Sequence, residues 1–420
     1  MHDYSVDGLK PSEVLRPASV EELSAQLKRL HGSGLAAIPW GGGTRMHVGN
    51  MPERYDVALD LSGLDTQIEH EPGDLTVVVS AGVRVADLNA RLATAGQRLP
   101  FDTPEPERAT IGGSVASNAP GAMRSSFGGI RDWVIGVTVV LADGDVTKSG
   151  GRVVKNVQGY DLHRLHTGAF GTLGVISQVA FKLTPLPART QTVAAAFSSI
   201  EPAAAAASSL FNAPFTPEAL SLFHGGGAAK ATATHMPRHA AGASTLLLAR
   251  LAGGPASVAR QASETSAAML RHKAVAVRTF GPDEDTPVWQ RAADSPLPVQ
   301  VSARAALRQS AAYEVLKDLE TADARFTGLA LHARIDCGFG ALTADWWAKT
   351  DEDAREAINA SFQAARRHGG LAVIERCPHH LKRGLDVFGE STPALAIMRG
   401  MKEQYDPARI LNPGRFIGGI

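Results

Sequence analysis

Two glycine-rich stretches constrain the fold of this chain more than any other feature. Residues 39–45 read Pro-Trp-Gly-Gly-Gly-Thr-Arg, and residues 112–121 read Gly-Gly-Ser-Val-Ala-Ser-Asn-Ala-Pro-Gly. Glycine reaches positive φ without steric cost, so consecutive backbone N–H groups can converge on one anion. We therefore expect two glycine loops that share a ligand with a long anionic spine. Each stretch alone is also consistent with an ordinary turn between strands.

Composition excludes several classes of partner and site. The chain has 420 residues, which predicts more than one domain because single cores stop growing at about 250–300 residues. Lys and Arg together number 42, as do Asp and Glu, so we expect no nucleic-acid partner. Cys337 and Cys377 are the only cysteines, and they lack the spacing of a disulfide framework, a zinc site or an iron–sulfur site. We expect free thiols in a reducing compartment and no metal site.

The N-terminal sequence and the apolar runs bear on localisation. The first residues show neither the basic nor the apolar segment of a secretory signal. No apolar run approaches the ~20 residues of a membrane helix. We expect a cytoplasmic protein without an integral membrane segment, and a peripheral position at the inner membrane through partners stays open.

Residues 1–187 mix helical and strand patterns. A capping box at Ser19 begins a predicted helix that ends at Gly32. A short apolar run then leads into the first glycine stretch, which places that stretch at the C-terminal end of a strand. Asp143-Gly144 predicts a hairpin turn. Alternating apolar residues predict a long strand over 175–183.

The sequence after Pro187 changes character. We place a domain boundary there and expect a second domain over 188–390 and a separate last segment over 391–420. In the second domain, predicted helices near 201–212, 255–271, 308–320 and 351–368 alternate with predicted strands near 192–198, 245–251, 298–303, 328–336 and 371–375. This alternation predicts an α+β arrangement with helices on one face of a sheet. In the last segment, Thr392-Pro393 predicts the start of a helix that ends near Tyr405.

Five motifs in order carry a resemblance to a known family. They read PWGGGTR at 39–45, ATIGGSVASNAPG at 109–121, SFGGIRDWVIGVTVVLADGD at 126–145, VVKNVQGYDLHRLHTGAFGTLGVISQVAFKL at 153–183 and LNPGRF at 411–416. The chain resembles the FAD-binding flavoproteins of the vanillyl-alcohol oxidase and p-cresol methylhydroxylase (PCMH) type, in the branch that oxidises 2-hydroxy acids. The resemblance implies an α+β fold with a two-lobed FAD-binding domain at 1–187. It also implies an α+β cap with an antiparallel sheet at 188–390 and a C-terminal segment at 391–420 that returns to the flavin.

The resemblance implies which residues hold FAD. The first glycine stretch would bind the diphosphate, the second would hold its other side and the ribityl chain, and a later strand would meet the adenine. Asn412 matches an asparagine that reaches the flavin ring in relatives. The expected cofactor-binding residues are Trp40, Gly41, Gly42, Gly43, Thr44, Arg45, Thr103, Glu105, Thr110, Ile111, Gly112, Gly113, Ser117, Asn118, Gly174, Val175, Ile176 and Asn412. Glu105 is equally consistent with a solvated loop charge.

Some relatives attach FAD covalently through a histidine beside the first glycine stretch. Here Thr44 follows the three glycines, and His47 lies three residues further on. We therefore predict noncovalent FAD, with attachment through His47 as the alternative.

The catalytic residues are not assigned by the sequence. Oxidation of a 2-hydroxy acid requires a base for the hydroxyl proton and a cation for the carboxylate. Relatives provide a His-x-Gly-Asp-Gly-Asn-x-His strand and a later Glu-His pair that bind a divalent metal. The matching strand here runs over 332–340 and lacks the asparagine and the second histidine, and the later pair falls near Glu375. We expect no tight metal site, and His332 and Arg334 stay catalytic candidates beside the alternative of a solvated sheet face.

A narrower resemblance over residues 393–416 is to the FAD-binding subunits of bacterial glycolate oxidases. It implies an FAD-dependent oxidoreductase acting on CH–OH groups, which helps to oxidise glycolate to glyoxylate. It also implies two partners, a larger FAD-containing subunit and an iron–sulfur subunit, because two cysteines cannot hold the clusters. The alternatives are a self-sufficient FAD-dependent 2-hydroxy acid dehydrogenase and a structural flavin-binding subunit without turnover.

Overall fold

The chain forms two compact units. The computed structural model describes residues 3–119, 121–152, 160–281, 284, 287–289, 298–390 and 393–420. The first unit comprises Met1–Gly121, Gly128–Leu186 and Lys382–Ile420, and the second comprises Ala122–Phe127 and Pro187–Leu381. The return to the first unit thus begins at Lys382, ahead of the division expected after residue 390. Part of the fourth motif, residues 153–159, lies outside the described residues, as does Thr392.

The strands and helices follow one another along the chain. The strands are β1 (Glu13–Leu15), β2 (Ala37–Trp40), β3 (Val57–Asp60), β4 (Ile68–Glu71), β5 (Thr76–Ser80), β6 (Gln97–Arg98), β7 (Val134–Val140), β8 (Val146–Gly150), β9 (Val175–Lys182), β10 (Thr184–Pro185), β11 (Arg189–Phe197), β12 (Ala219–Gly225), β13 (Thr245–Gly253), β14 (Ala276–Phe280), β15 (Val301–Ala306), β16 (Leu329–Asp336), β17 (Ala341–Ala348) and β18 (Leu371–Arg376). The helices are α1 (Val20–Ser33), α2 (Val85–Ala93), α3 (Ile111–Ser117), α4 (Arg124–Phe127), α5 (Leu162–His166), α6 (Ile200–Phe211), α7 (Gly226–His235), α8 (Pro255–Arg271), α9 (Gln309–Arg325), α10 (Asp351–Arg367), α11 (His379–Lys382) and α12 (Leu395–Tyr405). Among these described helices, none is long and apolar enough to cross a membrane.

The first unit has two lobes with separate sheets. In the first lobe, β1 and β2 pair in parallel with β3, and Leu23, Leu27 and Leu30 of α1 pack in the same apolar cluster as residues of β3. In the second lobe, strands run in the order β4-β5-β9-β7-β8, and all neighbours are antiparallel. The predicted helix start is confirmed, because Ser19 accepts a hydrogen bond from the Glu22 N–H. The hairpin β7–β8 confirms the turn prediction.

The second glycine stretch differs from its prediction, because Ile111–Ser117 is a helix rather than a loop. Thr110 caps this helix α3, and its Oγ1 accepts a hydrogen bond from the Gly113 N–H at 3.4 Å. A Cβ added to Gly112 would lie 2.7 Å from the Cβ of Ala81. Paired glycines have low helix propensity, which favoured the loop. Close packing of α3 on the neighbouring backbone requires glycine at 112 and explains why the helix contains it.

The second unit is an α+β structure around an eight-stranded sheet. Its strand order is β14-β11-β13-β12-β16-β17-β15-β18, and every pair is antiparallel. The predicted α+β class with an antiparallel sheet is confirmed. Helix α7, which was not predicted, places Ala228 and Ala231 in a cluster with Phe223, Leu246 and Leu248. Helices α6 and α8 contribute no residue to this cluster and contact β11 and β13 of the same sheet.

The last helix begins later than predicted. Helix α12 starts at Leu395, and Ala394 is its N-cap. The Ala394 carbonyl accepts the first helical hydrogen bond, from the Met398 N–H at 3.0 Å. Pro393 therefore lies in the turn before the helix and is not its first residue.

Candidate functional site

A cleft in the first unit brings together most of the residues expected to bind the cofactor. It has a volume of about 760 Å³ and is lined by the first glycine stretch, α3, the start of β9 and the C-terminal segment. The expected residues that line it are Trp40, Gly41, Gly42, Gly43, Thr44, Arg45, Thr110, Gly112, Gly113, Ser117, Val175, Ile176 and Asn412.

Three of the other expected residues do not line this cleft and have structural roles. Ile111 is fully buried in the apolar core under α3. Glu105 is an exposed loop residue, and its carboxylate pairs with Arg108 at 2.6 Å. Gly174 has φ +155°, and a Cβ there would lie 2.5 Å from the Val139 side chain, so close packing of β9 on β7 requires glycine.

The remaining two expected residues carry buried polar atoms. Asn118 ends α3 in the left-handed conformation, with φ 45°. Its Oδ1 is buried and has no hydrogen-bond partner among the described residues, and the same holds for Thr103 Oγ1. Such atoms cost free energy unless a ligand or water satisfies them.

The first glycine stretch leaves no room for side chains. A Cβ on Gly41 would overlap Thr110 Oγ1, and a Cβ on Gly42 would overlap the backbone oxygen of Arg108. Gly43 has φ +71°. Gly41, Gly42 and Thr110 also line a second, more polar cleft of about 1350 Å³. The stretch is therefore a thin backbone wall that a ligand can approach closely from either side.

Arg415 holds the residues that follow this stretch. Its Nη2 donates to the carbonyl oxygens of Met46 and Val48, each at 2.7 Å. The side chain lines the cleft and is buried. Burial lowers the pKa of Arg415 to about 10, which leaves the guanidinium charged at neutral pH.

A second buried cation, Lys382, binds the other two carbonyls of residues 46–49. Lys382 Nζ donates to the carbonyl oxygens of His47 at 2.8 Å and Gly49 at 3.1 Å. It also pairs with Asp7 at 2.8 Å. Together with Arg415 it fixes four consecutive carbonyls, and we refer to residues 46–49 as the carbonyl strip.

Asn412 is held on three sides. Its backbone has φ 46° and donates to the Ala37 carbonyl at 3.0 Å. Its Nδ2 donates to the Phe170 carbonyl, and its Oδ1 accepts from Arg415 Nη1 at 3.4 Å. The side-chain amide therefore has a fixed orientation at the cleft wall.

A buried ion pair fixes the chain just before Asn412. Lys402 Nζ lies 2.6 Å from Asp406 Oδ2 and donates to the carbonyls of Thr172 and Leu411, each at 2.8 Å. Asp406 accepts from the backbone N–H groups of Ile410 and Leu411. Burial lowers the pKa of Lys402, and the Asp406 charge opposes that shift.

The catalytic candidates lie in the second unit, on β16. His332 and Asp336 are each 4% exposed, so the alternative of an ordinary solvated face is wrong for them. Arg334 Nη2 donates to Asp336 Oδ2 at 3.3 Å, and Ser221 Oγ donates to Asp336 Oδ1 at 2.9 Å. The face is a buried polar network rather than a row of hydrated charges.

Glu375, which lies near the position of the later metal ligand in relatives, contacts an arginine here. Glu375 accepts a hydrogen bond from Arg304 Nε at 2.6 Å. In the described part of the chain, no group of three or more His, Cys, Asp or Glu side chains is arranged to hold a metal ion. The two cysteines are free and buried.

The cleft of the first unit fits an extended anionic cofactor such as FAD. Glycines of both stretches line it, Thr44 and Ser117 supply hydroxyls, and Arg45 and Arg415 supply positive charge. This donor set suits a diphosphate.

The sequence prediction missed eight residues of the cleft wall. They are Pro39, Met46, Leu61, Ala81, Ala116, Phe170, Gly171 and Arg415. The apolar residues have ordinary core patterns, so nothing in the sequence marks them. Arg415 does have a marker, because it is a cation in the otherwise uncharged LNPGRF motif.

Two known families match segments of the chain that contribute residues to the cleft. Residues 11–150 match the FAD binding domain family, and residues 389–416 match the C-terminal domain of FAD linked oxidases. The fold is similar to that of alkyldihydroxyacetonephosphate synthase, with a TM-score of 0.73, 17% identity, and coverage of 97% of this chain and 77% of that one.

Three relatives of known name are similar in sequence. Glycolate oxidase subunit GlcD of Bacillus subtilis is 27% identical over 422 residues, covering 96% of this chain and 88% of that protein. The mitochondrial cytochrome-type D-lactate dehydrogenase of Arabidopsis thaliana is 34% identical over 46% of this chain and 34% of that protein. Glycolate oxidase subunit GlcE of Escherichia coli K12 is 38% identical over 29% of this chain and 35% of that protein. The last two matches thus span about a third of those relatives.

Proposed function

The chain is an FAD-linked oxidoreductase with a PCMH-type FAD-binding domain, and on this premise we propose that it is the FAD-binding subunit of a complex that oxidises glycolate or a similar 2-hydroxy acid. The observation that carries the proposal is the cleft lined by both glycine stretches and Asn412. The similarity to a glycolate oxidase subunit over 96% of the chain supports the substrate class.

The chemistry requires a hydroxyl proton and a hydride to leave the same substrate, which converts the hydroxy acid to a 2-oxo acid. FAD, when bound, would supply the hydride acceptor. In the self-sufficient alternative, Arg334 would bind the substrate carboxylate and His332 would take the hydroxyl proton.

The state of the catalytic candidates favours a subunit over a self-sufficient enzyme. Arg334 already bonds the Asp336 carboxylate, and Arg304 already bonds Glu375. A substrate carboxylate would therefore compete with an internal one at each arginine. We propose that a larger FAD-containing subunit provides the complete substrate site and that an iron–sulfur subunit carries the electrons onward.

The test is reduction of the flavin under anaerobic conditions. The purified chain, loaded with FAD, is mixed with glycolate or D-lactate, and flavin absorbance is followed with and without the co-purified partner subunits. We expect bleaching only when the partners are present. Bleaching of the chain alone would favour the self-sufficient dehydrogenase, and no bleaching in either case would favour a structural subunit.

We also propose that FAD is bound without a covalent link. His47 is absent from the residues that line the cleft, and Thr44 occupies the position directly after the glycines. Precipitation of the yellow protein in hot acid should therefore leave the flavin in the supernatant. Flavin retained in the pellet of the parent, and released to the supernatant in His47→Ala, would establish the covalent alternative.

A further inference from the structure

The carbonyl strip carries an excess of buried positive charge. Arg415 and Lys382 both bind its carbonyls, and Asp7 pairs with Lys382. Among the described residues, no carboxylate lies within ion-pairing distance of Arg415, which is 3% exposed. The charge of Asp7 does raise the pKa of Arg415, but Asp7 is already ion-paired with Lys382. Two buried cations thus share one carboxylate, and a buried cation without a carboxylate of its own is costly. The arrangement therefore calls for an anion that the chain itself does not provide.

The hydrogen bonds of Arg415 leave part of its guanidinium unused. Nη2 is occupied by two carbonyls, and Nη1 has one long contact to Asn412. Nε is buried and has no hydrogen-bond partner among the described residues. Because Arg415 lines the same cleft as the first glycine stretch, a ligand in that cleft lies beside this charge.

We infer that Arg415 is the permanent counter-ion of the cofactor's diphosphate and couples cofactor binding to the position of the C-terminal segment. A diphosphate is negative in every redox state of the flavin, whereas the ring of oxidised FAD is neutral. The guanidinium of Arg415 is charged whatever the redox state of the flavin. The diphosphate is the part of the cofactor that can balance this charge in every redox state. Through Asn412 and the carbonyl strip, the same side chain joins the C-terminal segment to the first glycine stretch.

Binding of FAD and of ADP to the full apo-chain tests this assignment. ADP carries the diphosphate without the flavin, so both affinities should depend on the same charge. Arg415→Met should weaken both FAD and ADP by about 10- to 150-fold, the range for a hydrogen bond to a charged group. Arg415→Lys should retain most of both affinities. Arg399→Met, an exposed arginine of α12, is the matched control and should change neither.

The possible outcomes separate the diphosphate from the flavin ring. If Arg415→Met weakens FAD and leaves ADP unchanged, the assignment is overturned. The assignment is also overturned if Arg415→Met binds oxidised FAD as tightly as the parent while the midpoint potential of the bound flavin falls. That result would mean that the charge of Arg415 stabilises the reduced flavin ring rather than the diphosphate. If Arg415→Met does not fold, Arg415→Gln takes its place. This variant keeps hydrogen-bond donors for the carbonyl strip and loses the charge. It should bind both FAD and ADP more weakly than Arg415→Lys does.

Discussion

Gly42→Glu is expected to yield a protein that retains no FAD. A Cβ at this position would overlap the backbone oxygen of Arg108, so the glycine stretch must shift, and the change adds a negative charge beside the proposed site of the anionic diphosphate. Repulsion between like charges costs several kcal/mol, so affinity should fall by at least about 100-fold. The ratio of flavin to protein absorbance after gel filtration measures the effect.

The control for this variant is Gly32→Glu. Gly32 lies at the exposed end of α1, and a Cβ there meets no atom within 4 Å. This variant should bind FAD like the parent. Stoichiometric FAD in folded Gly42→Glu protein would show that the first glycine stretch does not bind the cofactor.

Lys402→Met is expected to destabilise the protein by about 3–5 kcal/mol, because it leaves the fully buried Asp406 carboxylate without its cation. It also removes two hydrogen bonds to the carbonyls of Thr172 and Leu411. Loss of these bonds should loosen the chain just before Asn412, so FAD content should fall as well. Urea unfolding of the apo-protein and of the FAD-loaded protein measures both effects.

Two further variants test the cause of this loss. Lys28→Met removes an exposed lysine of α1 and should change stability by less than about 1 kcal/mol. Lys402→Met combined with Asp406→Asn should recover part of the lost stability, because the unpaired charge is gone. A parental urea midpoint for Lys402→Met would contradict a stabilising role of this pair.

The sequence predicted those elements whose ends carry local chemical markers. Ser19 caps α1 as predicted, and Asp143-Gly144 lies in the turn of the β7–β8 hairpin. Strand β12 was missed because its residues are buried on both faces and show no alternation. The helical second glycine stretch was missed because tertiary packing, against Ala81, decides its conformation.

The part of the candidate site formed by the glycine backbone could be predicted from the sequence. The part held by contacts between residues far apart in the sequence was harder to predict. The glycines at 41–43 can be recognised in the sequence because the wall of the cleft has no space for a side chain at Gly41 or Gly42 and Gly43 has a positive φ. Glu105 was expected on proximity in sequence alone, and it lies in an exposed ion pair. Arg415 was overlooked because its partners, Met46 and Val48, lie 369 and 367 residues away along the chain.

The two cations that bind the carbonyl strip lie far from it in the sequence, which affects when the cleft can form during biosynthesis. The ribosome adds Lys382 and Arg415 more than 330 residues after the backbone they bind. All residues of the second unit are made before either cation emerges. Contacts of such long sequence separation form late and slowly. The N-terminal portion of the chain therefore leaves the ribosome with an incomplete cleft, and we expect capture of the cofactor to be a step of maturation that follows synthesis.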